Sequence, residues 1–205
     1  MKKNMMVLFL FAMMLTFTFG TQASAGYTIY TNKAAWGAAA GSFMKEDFTG
    51  DTLNPGISFT YGKDRDSDSV PYINTTDGFF WDRLKQRGDT PAWTTTWHFA
   101  TPITAFGGKW DLSEWGAGVG ITLRSDGNVI GTIRNPFENR FFGFTSTTPF
   151  DSVRLVAGKQ DAEGSNLEAY TLDNLVYAPV PIPPAVWLLG SGLIGLMGLR
   201  RRINV

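Results

Sequence analysis

Ile121-Thr122-Leu123-Arg124-Ser125-Asp126-Gly127-Asn128-Val129-Ile130-Gly131-Thr132-Ile133 decides how this chain folds. Two β-branched, apolar runs flank Ser-Asp-Gly-Asn, and Asp-Gly tolerates the positive φ values of a tight hairpin. The same grammar extends to both sides. Short aromatic and β-branched runs recur about every dozen positions, with Gly, Asp, Asn and Pro between them. The spacing predicts strands over Tyr27–Tyr30, Phe43–Phe48, Ile57–Tyr61, Phe79–Arg83, Thr94–Ala100, Ile103–Trp110, Val119–Arg124, Val129–Arg134, Phe141–Ser146, Ser152–Ala157 and Tyr170–Tyr177. One helix is expected, capped by Asn32, running from Lys33 to Ala40 with Trp36 as its buried anchor and ended by Gly41. Gly62 to Gly78 reads as the one long linker. Many short strands with one small helix give a mainly β, antiparallel sandwich rather than a parallel sheet.

The two ends differ in kind from the middle. Lys2 and Lys3 precede an apolar stretch from Met5 to Phe19, and Ala23-Ser24-Ala25 is a small-residue cleavage site. Residues 1–25 therefore read as a signal peptide, with the mature chain starting at Gly26. Val180-Pro181-Ile182-Pro183-Pro184 cannot continue a ladder or a helix, because each proline lacks an N–H and has a fixed φ. Ala185 to Leu199 carries no charge, and Arg200, Arg201 and Arg202 follow at once. As a transmembrane helix those fifteen residues measure about 22 Å, against a bilayer core of about 30 Å. Such a segment spans only by thinning the lipid or letting its arginines snorkel. Ser191, Gly195 and Gly198 form one smooth face against which another transmembrane helix can pack. The positive-inside rule keeps the arginines cytoplasmic and exports everything between the two apolar segments, residues 26–178.

The whole chain has 18 basic and 18 acidic residues. Five of the bases lie in the end segments and all the acids between them, so the exported part carries a net charge of −5 (13 bases, 18 acids). No basic stripe suits phosphates, which argues against nucleic acid. The chain has no cysteine. Disulfides, an acylated cysteine and a thiol nucleophile are all excluded, and the exported domain must hold by its core alone.

The tail also carries a resemblance. Val180-Pro181-Ile182-Pro183, then Ala185-Val186-Trp187-Leu188-Leu189-Gly190-Ser191-Gly192-Leu193-Ile194-Gly195-Leu196, then Arg200-Arg201-Arg202, resembles the PEP-CTERM sorting domain in its VPLPA-type variant. It departs from the founding pattern in lacking Glu between the prolines, and Pro184 stands where the variant often has Ala. The resemblance implies a Gram-negative protein handed to an exosortase, a multi-spanning membrane cysteine protease/transpeptidase. It further implies an inner-membrane-anchored precursor with a periplasmic domain and a mature form at the cell surface or outside the cell. The middle is loosely similar to the jelly-roll domain common in such sorted proteins, through Tyr30-Thr31-Asn32-Lys33-Ala34-Ala35-Trp36, Glu46-Asp47-Phe48, Phe142-Gly143-Phe144 with Pro149-Phe150-Asp151-Ser152-Val153, and Leu172-Asp173-Asn174-Leu175.

Candidate chemistry is sparse. Asp64, Asp66 and Asp68 alternate, but an EF-hand loop starting there needs Gly and Glu where Ser69 and Thr75 stand, so the trio reads as a solvated acidic loop. By likeness to jelly-roll carbohydrate-binding modules, Glu46, Asp47 and Asp173 are placed to hold a structural calcium; strand-end hydrogen bonding is the other reading of Asp173. Six of the seven tryptophans lie in the exported part. Gly78-Phe79-Phe80-Trp81, Trp93, Trp97, Trp110 and Trp115 can include a sugar-stacking platform, although a disulfide-free sandwich needs most of them as core. Trp93 and Trp115 are expected in loops, partly exposed, as possible glycan contacts. His98, the only histidine, reads as a satisfied strand residue. Neither a G-x-S-x-G elbow nor a P-loop occurs, and Asp111 with Glu114 is the local carboxylate pair to weigh for glycoside cleavage. The expectation is an exported, exosortase-sorted envelope or extracellular-matrix protein with a structural or binding role, without catalytic residues or cofactor. A carbohydrate-binding module and a polysaccharide-active hydrolase are the alternatives.

Overall fold

The computed structural model describes residues 26–62, 65–87, 90–112, 119–158 and 167–180. The expected signal peptide with its expected cleavage residues Ala23 and Ala25, the expected sorting residues from Pro181 to Arg202, Trp115 and Glu114 lie outside the described residues. Among the described residues, no helix is long and apolar enough to cross a membrane.

The elements run β1 (Tyr27–Tyr30), α1 (Lys33–Ala40), β2 (Met44–Glu46), β3 (Ile57–Tyr61), a 3-10 turn (Ser67–Ser69), β4 (Tyr72–Asn74), β5 (Phe79–Arg87), β6 (Thr90–Asp111), β7 (Ile121–Ser125), β8 (Asn128–Ile133), β9 (Arg140–Ala157) and β10 (Leu167–Pro179). The chain is mainly β, with one α-helix among the described residues, and all its strand pairs are antiparallel. The hairpin forms as expected. Ser125 pairs with Asn128, and Asp126 and Gly127 take φ of 47° and 78°, both left-handed, as the two-residue turn demands.

Four expected strands are in fact two long ones. The sequence reads as broken at Pro102 and Pro149, yet β6 and β9 pass through both. Each proline falls in a register shift of the β6–β9 ladder, where no ladder N–H is required. Before the shift β6 pairs with β3 and with Ser152–Val156 of β9; after it, β6 pairs with β10 and with Arg140–Thr145. The supposed linker holds a strand as well: β4 pairs with β5, which in turn pairs with β10.

One aromatic-rich core runs through the sheet, built on Phe48, Phe80, Trp97, Phe106, Trp110, Phe144 and Tyr170. Phe80 and Trp97 meet edge-to-face with centroids 4.9 Å apart, a geometry that suits the ring quadrupoles. The helix is held at a separate point. Asn32 Oδ1 accepts from Ala35 N at 3.0 Å, and Gly41 ends the helix at φ 75°. Trp36, its one buried side chain, sits over the cross-strand pair Gly107 and Gly143 and donates from Nε1 to Phe144 O at 3.1 Å. A Cβ on Gly143 would stand 3.0 Å from Trp36 Cδ1, so glycine is what makes the seat.

Candidate functional site

Alternation along β5 sorts its residues to two faces. Phe80, Asp82 and Leu84 are buried, while Phe79, Trp81 and Arg83 are half-buried on the opposite face. Register places Tyr72 of β4 and Thr171 of β10 on either side of Trp81. Tyr72, 49% exposed, stacks on Trp81 with centroids 5.3 Å apart and ring planes 29° apart. The Arg83 guanidinium lies 5.3 Å from the Trp81 ring centroid. These side chains, with Phe79, Val70, Ser67 and Asp68, line an open cleft of about 560 Å³.

The wall of this cleft, the turn at Ser67–Ser69, is tied down from beneath. Arg65 reaches inward and donates from Nη1 to Ser69 O and Arg83 O, both at 2.9 Å, and to the Asp82 carboxylate. Its Nη2 donates to Thr94 O at 3.0 Å and Thr95 Oγ1 at 2.9 Å. Asp82 accepts further from Arg83 N at 2.7 Å, Thr95 Oγ1 at 2.6 Å and the Tyr170 hydroxyl at 3.0 Å. Both partners of the ion pair are sealed from solvent, at 1% and 0% exposure. A buried charge needs such pairing. Burial first, then the Asp82 charge and hydrogen bond, push the Tyr170 hydroxyl well above its ordinary pKa; Arg65 acts in the opposite direction.

The sequence pointed elsewhere in that segment. It drew attention to Asp64, Asp66 and Asp68, whereas the residue that organises it is Arg65, which lies among them. Asp64 lies outside the described residues, Asp66 makes no side-chain cap to the turn, and Asp68 accepts from Ser67 Oγ at 3.0 Å. A signal for the network was present: strict alternation puts Asp82 between Phe80 and Leu84 on the core face, which calls for a cation or hydrogen-bond donors nearby.

Other expected residues sit as follows. Trp93 is not in a loop: β6 begins earlier than expected, so Trp93 shares the inward face with Thr95, Trp97 and Phe99 and is 6% exposed. Lys85 Nζ covers it at 4.6 Å from a ring centroid, leaving little ring for a sugar. Glu46 is buried and spends both oxygens on backbone amides, accepting from Phe48 N at 2.8 Å and Asn54 N at 2.7 Å. Asp47 accepts from Thr49 Oγ1 at 2.7 Å, and hydrogen bonds from Thr49 hold its carboxyl below the ordinary range. Asp173 faces Lys109 at 3.7 Å. Among the described residues, no group of three His, Cys, Asp or Glu side chains is arranged to hold a metal ion. His98 shares a hydrogen bond with Thr60 Oγ1 at 2.8 Å, and Asp111 accepts from Asn139 Nδ2 at 2.7 Å. Glu168, which sequence reasoning passed over, is a third buried carboxylate beside Asp82 and Glu46; it accepts from Gly120 N at 2.6 Å and Asn135 Nδ2 at 3.1 Å, and burial pushes its pKa up.

The cleft can hold a flat, partly apolar ligand on its stacked rings while Ser67, Asp68, Arg83 and Thr171 meet polar groups at the edges. No known family model matches this chain, and no curated protein does.

Proposed function

We propose that this chain is an exported, exosortase-sorted envelope or extracellular-matrix protein whose β domain, a jelly-roll-like sandwich, binds polysaccharide in the Tyr72–Trp81 cleft. The observation that carries the binding role is the stacked, solvent-facing pair Tyr72 and Trp81 beside four polar side chains. Pyranose rings present an apolar face that packs on such a shelf and hydroxyls that meet its rim. Asp68 is the one carboxylate among the described lining residues, where glycoside hydrolysis ordinarily uses two. Export rests on the leader ending at Ala25, and sorting on the tail from Val180 to Arg202.

Glycan-array screening followed by calorimetry on the full chain tests the binding role. Trp81→Ala weakens binding about tenfold, and Met44→Ala, an exposed apolar change on β2, leaves it unchanged. Equal affinity of wild type and Trp81→Ala would overturn the assignment.

A further inference from the structure

We propose that a hollow on β6, β7 and β9 is an oxyanion site that takes the carboxylate or sulfate groups of an acidic polysaccharide. Register sets Arg124 of β7 directly opposite Arg154 of β9, and Thr96 of β6 opposite Arg154 on its other side. Like charges directly opposed across a strand pair are destabilising. A sheet that keeps two such arginines gains from a ligand that neutralises them. Neither arginine has a carboxylate within ion-pair distance among the described residues, whose ion pairs are Lys45–Asp47, Arg65–Asp82 and Lys109–Asp173. Arg124 Nη1 donates to Gly127 O at a long 3.3 Å.

Both arginines line a hollow of about 280 Å³, with Thr96, Ser125, Asp126, Gly127 and Ser152. Two guanidinium forks can each donate a pair of N–H groups to one planar or tetrahedral oxyanion. Thr96 and Ser152 line the same space, and a hydroxyl turned toward it can serve neighbouring ligand oxygens. Asp126 on the turn opposes the anion and sets the site's net charge to that of one cation. That makes the hollow suited to repeated weak contacts along a polymer rather than tight capture of a free ion. The polymer as the source of the anion rests on the function proposed above; the oxyanion chemistry does not.

The test uses the full chain in three arms. Inorganic sulfate, compared with chloride at equal ionic strength, raises the melting temperature by roughly 3 °C at tenfold excess over its dissociation constant. Arg124→Gln and Arg154→Gln abolish that rise and melt slightly higher than wild type without sulfate, since each relieves the repulsion. Asp126→Asn, which suits the left-handed turn, enlarges the rise. A sulfate response undiminished in Arg124→Gln overturns the site. In the second arm, oligogalacturonate binds more tightly than a neutral cello-oligosaccharide, and Arg124→Gln erases the preference; no preference in wild type overturns the acidic polymer as ligand. In the third, Trp81→Ala leaves the sulfate response intact, so failure of the aromatic cleft and failure of the arginine hollow are read separately. A sulfate response lost in Trp81→Ala overturns the independence of this site.

Discussion

Asp82 occupies a position that alternation reserves for an apolar side chain, and four donors converge on it. Removing one partner of a sealed ion pair strands the other, at a cost of about 3–5 kcal/mol. Arg65→Ala is therefore expected to lower the unfolding free energy by that amount in urea titration. It should also weaken glycan binding, because the turn carrying Ser67 and Asp68 loses its tie to β5. Tyr170 adds a pH signature. Its pKa is raised in the folded state, so its contribution to stability is complete below the ordinary tyrosine value of 10.0 and is lost as pH climbs above it. Burial raises Tyr27 and Tyr177 as well, so they act in the same direction. Tyr170→Phe should flatten the alkaline limb of the stability curve and cost about 1.5–3 kcal/mol at neutral pH, measured by denaturation across pH 7 to 11. Asp82 was legible as an anomaly of period; that Arg65 satisfies it was not, because nothing local links the two.

At the level of elements, the hairpin and the helix follow from residues a few positions apart. Gly127 has open space around its missing Cβ, so Gly127→Ala isolates the cost of a left-handed φ, about 1 kcal/mol by thermal denaturation. Asn32→Ala should cost a similar amount, about 1 kcal/mol, by removing the cap on Ala35 N. Gly143→Ala is different in kind. Its methyl would press on Trp36 Cδ1, Phe106 O and Phe141 Cζ, each within about 3 Å, so the helix should lift and Trp36 fluorescence shift to the red, with about 1–3 kcal/mol lost. The long strands were read as broken because proline ordinarily ends a ladder. They continue since the register shifts at Pro102 and Pro149 leave those positions unpaired. β4 escaped notice because three residues show too little alternation, and its pairing with β5 is what creates the stacked shelf.

For the whole molecule, the proposed export and sorting determine what the two ends of the mature protein should look like. Mass spectrometry of the extracellular protein should find Gly26 as first residue and lack Ile203-Asn204-Val205; in cells without exosortase the intact C-terminus should stay with the membrane. Chemistry between near neighbours determined the strand-and-turn rhythm, the Asp-Gly hairpin, the Asn-capped helix and the distinct composition of both ends. Each of these depends on backbone preferences and patterns spanning a few residues. The packed sheet alone decided that Trp93 turns inward, that Arg65 meets Asp82 across 17 positions, that Tyr72 lies on Trp81, and that Arg124 confronts Arg154. Burial, ring stacking and charge opposition are set by which distant strands become neighbours, and that information resides in the fold.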